Sequence, residues 1–177
     1  MDIQVFDKTF IPFISEQQIQ TRLKEIAEQI LRDMNGEVPV FIGVLNGSFM
    51  VISDLVKHYK GECELSFVKM ASYIGTQSTN QVNQLLGLDI DVSDRRVILV
   101  EDIVDTGNTL VALKKLFDQQ QPKELRICTL CLKPDAYKKD IPLNYVAFEI
   151  ENKFIVGYGM DYNKRGRNIP EIYQIKE

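Results

Sequence analysis

Apolar residues change their spacing several times along the chain, and each change predicts an element. From Ser15 onward they recur at Ile19, Leu23, Ile26, Ile30 and Leu31, the three-to-four spacing of one helix face. Ser15 and Gln18 occupy the N-cap and N3 positions of a capping box, and Asn35-Gly36 supplies the stop. Residues 38–45 are almost uninterrupted apolar positions, as expected of a strand covered on both faces. Asn46-Gly47 closes that run. A second helical pattern starts at Ser48, with Phe49, Ile52, Leu55 and Val56 on one side. Residues 65–70 and 96–100 predict two more strands, the second buried and followed by a helix over 109–117. Residues 71–83 are rich in Ser, Thr, Gln and Asn, and such a stretch inside a compact domain predicts a mobile or functional segment. Strands are predicted again at 125–133, 145–150 and 154–158, and the last 15 residues read as a tail of mixed charge.

Strand, turn and helix thus alternate at least twice, which is the pattern of βαβ units around a parallel sheet. Crossovers in such sheets are right-handed, and ligands bind beyond the carboxyl ends of the strands. The final strands follow one another without helices, so a separate antiparallel flap is expected from them. At 177 residues the chain is read as one domain.

Composition narrows the function. With 25 acidic and 21 basic residues, a net charge of −4 and no block of Lys or Arg, the chain is a poor binder of nucleic-acid backbone. No apolar run approaches the roughly 18 residues of a membrane span. The N-terminus lacks the basic and apolar regions of a secretory signal, so a cytoplasmic location is expected. Three cysteines, an odd number, fit a reducing compartment. Cys128 and Cys131 form a C-x-x-C, but on a predicted strand they face opposite sides and read as small core hydrophobes. His58 is the only histidine, which removes Ser-His-Asp relays and multi-histidine metal sites. Carboxylates, backbone amides, lysines and a metal must carry any chemistry.

One segment concentrates those groups. A buried strand runs into Glu101-Asp102, then two apolar residues, then Asp105-Thr-Gly-Asn-Thr109 and a helix. The short, hydroxyl-bearing turn leads to a helix N-terminus, where unpaired N–H groups and the dipole favour a single phosphate. Two acids immediately before it would repel a second anion and welcome ribose hydroxyls or a divalent cation such as Mg²⁺. The pattern therefore suggests a sugar phosphate. A P-loop is absent, and Gly157-Tyr-Gly159 lacks the third glycine of a dinucleotide fingerprint. Asn46-Gly-Ser48 marks a tight turn after a strand more readily than a glycosylation site.

Residues 97–110 resemble the ribose-phosphate motif of the type I phosphoribosyltransferases. Gly43-Val-Leu-Asn-Gly-Ser48, Ser72-Tyr73, Leu132-Lys-Pro134 and Lys153-Phe-Ile-Val-Gly-Tyr-Gly-Met-Asp-Tyr-Asn163 extend the resemblance to the family's hypoxanthine-guanine branch. It covers residues from about 10 to 170. The resemblance implies an α/β fold with a parallel-sheet core, helices on both faces and a small antiparallel hood for the purine. Residues 1–177 would be a single domain, with the hood made by the N-terminal segment and roughly residues 133–177. It implies Mg²⁺-dependent transfer of ribosyl-5-phosphate from 5-phosphoribosyl-1-pyrophosphate (PRPP) to N9 of a 6-oxopurine, by a homodimer or homotetramer.

Residue by residue, the resemblance gives Glu101 and Asp102 the ribose hydroxyls and a metal. Asp105 handles the purine N7 proton, and Thr106, Gly107, Asn108 and Thr109 wrap the 5-phosphate. Leu45, Asn46 and Gly47 form the pyrophosphate loop, often with a non-proline cis peptide, and Arg167 joins them. Ser72 and Tyr73 belong to a mobile lid. Lys133 donates to the 6-oxo group, Phe154 stacks on the base, and the backbone at Ile155 reads its edge. Asp161 reaches a second Mg²⁺. Two positions depart from the pattern: many relatives carry Lys where this chain has Asn46, and some carry Lys at Ala71. Asn46 thus shifts the pyrophosphate contact toward backbone amides.

Two other functions compete. A non-catalytic regulator on the same fold, sensing PRPP or a nucleotide, should show a basic face. An enzyme for adenine should present an acceptor, not Lys133, opposite the 6-amino group.

Overall fold

The structure, a computed structural model, describes residues 1–72 and 82–176, with backbone alone at 71, 72 and 82–86. Tyr73 and most of the polar stretch predicted as a lid lie outside the described residues. The large sheet has six strands in the order β5-β4-β3-β6-β7-β8. These are β3 (Val40–Leu45), β4 (Glu64–Ser72), β5 (Val82–Leu86), β6 (Arg96–Val104), β7 (Glu124–Leu132) and β8 (Tyr145–Glu149). All neighbours are parallel except β5, which closes one edge antiparallel to β4.

Two layers of helix cover this sheet. Helices α1 (Glu16–Met34) and α2 (Phe49–His58) bury Ile19, Leu23, Ile26, Ile30, Ile52 and Leu55 in one cluster with Phe41, Ile98 and Val100. Helix α3 (Asn108–Gln120) buries Leu110, Leu113 and Phe117 in a second cluster with Ile42, Val97 and Leu99. Alternation along β3 and β6 thus feeds both faces, as a doubly covered sheet requires. The capping box forms as its spacing predicts: Ser15 Oγ accepts from the Gln18 N–H, and Gln18 Oε1 accepts from the Ser15 N–H at 3.0 Å. Asn35 ends α1 in the left-handed region. At the far end, Asp33 accepts from Arg126 (2.9 Å) and from the Tyr145 hydroxyl (2.8 Å), fastening α1 to β7 and β8. Phe49 departs from its predicted packing: the buried residues of α2 are Val51, Ile52 and Leu55, and Phe49 is 41% exposed at the helix start.

The small sheet has the order β1-β2-β10-β9, all antiparallel, from β1 (Ile3–Val5), β2 (Lys8–Ile14), β9 (Ile155–Val156) and β10 (Ile172–Ile175). Two expectations change here. The residues read as a charged tail contain β10, the strand between β2 and β9, because Ile172, Tyr173 and Gln174 are buried there. The antiparallel flap expected from the final strands takes only β9 of the three predicted. β7 and β8 pair in parallel in the large sheet, since residues 133–144 cross back and Asn144 locks onto the start of β7. The Asn144 N–H donates to the Ile127 carbonyl (2.9 Å), and Asn144 Oδ1 accepts from the Ile127 N–H (2.9 Å).

Cys128 and Cys131 are fully buried and unpaired, and burial pushes both thiols up, Cys128 to about 12. Among the described residues, no helix is long and apolar enough to cross a membrane.

Candidate active site

β3, β6 and β7 end at the same edge of the sheet, so the loops after Leu45, Val104 and Leu132 converge there. β6 is longer than its apolar run predicts. Glu101 pairs with Thr129 and the ladder continues to Val104 opposite Leu132, which places the two acids inside the strand. The Leu45–Asn46 peptide is cis, as the resemblance implies. Gly47 follows with its backbone against the Asp102 carboxylate; a Cβ there would lie 1.7 Å from Oδ2. No larger residue fits while Asp102 keeps its position.

The turn from Asp105 to Gly107 leads into α3. Gly107 has φ +77° and caps the helix without a side-chain hydrogen bond, so no side chain satisfies the first N–H groups. Thr106, Asn108 and Thr109 are exposed around this N-terminus, while Gly107 is buried beneath the Tyr137 ring.

A cavity of about 220 Å³ opens beside this edge. Asp102, Asp105, Lys133, Phe154, Ile155 and Asp161, all predicted site residues, line it together with Ile103 and Met160. Ile103 and Met160 have no role in the sequence reading; their signal was position alone, one beside Asp102 and one before Asp161. Lys133 continues the ladder through its N–H to the Val104 carbonyl (3.0 Å), and its nearly buried Nζ donates to Asp105 Oδ2 at 3.0 Å. The Phe154 ring is 44% exposed, edge-on to Tyr162 at 5.7 Å and tilted toward Phe10 at 6.3 Å. Arg167 Nη2 pairs with Asp161 Oδ1 at 2.5 Å, and Asp161 Oδ2 accepts from the Lys164 N–H at 2.7 Å.

Electrostatics distinguish the paired acids. Burial, with the Asp102 charge beside it, pushes the Glu101 carboxyl well above the usual range. Burial also pushes Asp102 up, to about 6, although the N–H groups at Ile103 and Asp102 and the Arg167 charge pull it down. A buried carboxyl repelled by the Asp102 charge, and a half-buried one repelled by Asp161, are suited to a cation or to hydroxyl donors. Among the described residues, no three or more His, Cys, Asp or Glu side chains are grouped to hold a metal by themselves. The donor set therefore suits a Mg²⁺ that keeps one or two carboxylates and takes its other oxygens from substrate and water. Ser72 ends β4, and Asn46 is exposed at the turn after β3, its carbonyl accepting from the Phe49 N–H at 3.4 Å.

The family model for the phosphoribosyl transferase domain matches residues 15–163. The chain is 39% identical to the hypoxanthine-guanine phosphoribosyltransferase of Streptococcus mutans, over 92% of this chain and 91% of that one. It is similar to a solved hypoxanthine-guanine phosphoribosyltransferase from Bacillus anthracis with HEPES in the active site. That match has a TM-score of 0.89 and 42% identity, covering 94% of this chain and 98% of the other. A Trypanosoma cruzi hypoxanthine phosphoribosyl transferase structure, from work on its C-terminal region, oligomeric state and activity, matches at TM-score 0.89 and 30% identity. The coverage there is 98% of this chain and 95% of the other.

Proposed function

Since the chain belongs to the phosphoribosyltransferase family, among enzymes of purine salvage, we propose that it makes IMP or GMP and pyrophosphate from PRPP and hypoxanthine or guanine, with Mg²⁺. The observation that carries this reading is Lys133: a nearly buried ammonium held 3.0 Å from Asp105 in a cavity walled by an exposed aromatic ring. An ammonium offers donors and no acceptor, which suits a 6-oxopurine and not adenine.

In this reading Phe154 covers the base, Lys133 donates to O6, and the Ile155 backbone meets the opposite edge. Asp105 lies within reach of the imidazole side of the ring. The uncapped N-terminus of α3 and Thr106–Thr109 hold the 5-phosphate, and the 45–47 loop with Arg167 holds the pyrophosphate. Glu101 and Asp102 would hold one Mg²⁺ and Asp161 would reach a second; bound there, the metal would neutralise the pyrophosphate charge and ease its departure. The C1–O bond breaks with its electron pair leaving on pyrophosphate, and the N9 lone pair forms the new bond to C1 from the opposite face, inverting that centre. The Glu101 and Asp102 carboxylates stabilise the positive charge on the ribose ring, and Asp105 exchanges the purine proton.

The same reading treats residues 1–177 as one functional domain with the small sheet as its hood, assembled as a homodimer or homotetramer. The test is one assay: Mg²⁺ and PRPP with hypoxanthine, guanine, xanthine or adenine, following nucleotide formation. Turnover with hypoxanthine or guanine and none with adenine is expected. Silence with every base would overturn the assignment in favour of a PRPP-sensing regulator.

A further inference from the structure

Backbone lies against backbone where Gly159 of the hood meets Gly47 of the pyrophosphate loop. Gly159 has φ +97°, and a Cβ added to it would come 2.0 Å from the Gly47 carbonyl oxygen. On one side Arg167 grips this glycine: Nη1 donates to the Gly159 carbonyl at 2.7 Å, and the Gly159 N–H donates to the Arg167 carbonyl at 3.0 Å. On the other side is Tyr158, a non-glycine residue at φ +48°. L-residues adopt that region only where their surroundings hold them there.

What holds it is a part-buried polar cluster whose residues do not line the cavity. Tyr158 is 1% exposed, and its hydroxyl donates to Asp54 Oδ2 at 2.5 Å. The same oxygen accepts from Gln20 Nε2 at 2.6 Å, and Oδ1 accepts from Lys57 Nζ at 2.8 Å. Gln20 Oε1 lies 3.0 Å from His58 Nε2. Packing alone would be served as well by phenylalanine, whereas a buried hydroxyl on a carboxylate fixes direction as well as volume. Asp54 stands on α2, whose first residue, Phe49, follows the pyrophosphate loop by one position past Ser48. One helix therefore continues from the loop and, about a turn and a half later, grips the hood segment that rests on that loop.

We propose that Tyr158 and Asp54 are positioning residues for PRPP: their hydrogen bond seats Gly159 on the Gly47 carbonyl, and so sets Asp161 and Arg167 opposite Asp102. The proposal rests on the phosphoribosyl-transfer reading above. The base end is held by other contacts, Lys133 through Val104 and Asp105, and Phe154 through Phe10 and Tyr162. Loosening the Tyr158–Asp54 bond should therefore be felt at the pyrophosphate end first.

Tyr158→Phe keeps the ring and removes only the hydroxyl; Asp54→Asn keeps the shape and removes the charge. Steady-state kinetics of both variants and of wild type, varying Mg-PRPP and hypoxanthine separately, provide the test, with Tm measured alongside. The expected result is a rise in KM for PRPP of about five- to tenfold, the scale of one lost hydrogen bond, with KM for hypoxanthine changed less than about twofold. The double variant should match the worse single one, because both remove the same bond. Equal rises in both KM values, or a lower Tm with neither KM changed, would show a merely structural tie and overturn the proposal. Wild-type protein without turnover would instead remove the enzymatic reading and the positioning role with it.

Discussion

Lys133 and Asp105 form an ion pair, although the proposed chemistry gives them separate tasks. Lys133 carries three donors, so it can keep Asp105 while giving another hydrogen to a purine oxygen; the pair pre-aligns both groups. Asp105→Asn should lower kcat about 10²–10⁴-fold, the usual worth of a positioned acid or base, read by single-turnover nucleotide formation. Lys133→Ala should cut kcat/KM for hypoxanthine by roughly 10²-fold or more, because the 6-oxo group then enters a buried site unpaired. An unchanged kcat/KM would remove Lys133 from base recognition. Each residue was legible singly, from its place after a strand. Their pairing was not, since it depends on parallel registry between β6 and β7, and no local pattern encodes registry.

Elements were legible where a single face repeats and obscure where partners are distant. α1 announces itself by its spacing and cap; Ser15→Ala should lower stability by about 1 kcal/mol, measured by urea unfolding, and leave kcat unchanged. β6 appeared to stop at Val100 because acids rarely continue a buried strand, yet its bonds to β7 continue it through Glu101 and Asp102. β10 hid among charges because only three of its residues are buried, and its partner β2 is more than 150 residues away. The α1–α2–hood junction was equally hidden. Burial pushes the Asp54 carboxyl up, but its bonds from Lys57, Tyr158 and Gln20 outweigh this and hold it below the ordinary value of 3.8. A lowered pKa in the fold means that the unfolded chain binds more protons in acid. Asp54 therefore stabilises the fold above the ordinary carboxylate range, and that contribution disappears as pH falls through its lowered value. Asp54→Asn should be less stable than wild type at pH 7, with the gap closing below about pH 4. A gap constant from pH 7 to 3 would contradict the role of its charge.

At the scale of the molecule, a net charge of −4 must be reconciled with the proposed polyanionic substrate. In the proposed reading the resolution is local: backbone amides at α3 and the 45–47 loop, Arg167, and a cation shared with substrate would hold it. PRPP alone should therefore bind weakly. With Mg²⁺ at about 100 times Kd it should add roughly 2.7 kcal/mol, a Tm rise of about 5–10 °C for a chain of this size, and chelation should abolish most of it. An equal shift in the presence of a chelator would remove the metal from binding. The layered order of the small sheet has one more consequence, for synthesis. β2 must wait for β10, whose Ile172 pairs with Ile14, whereas every strand of the large sheet precedes β10 in the chain. At about 5–20 residues per second, the ribosome leaves β2 without that neighbour for roughly 10–30 s. The nascent chain can thus complete its large sheet while β2 of the small sheet still lacks its inner neighbour β10.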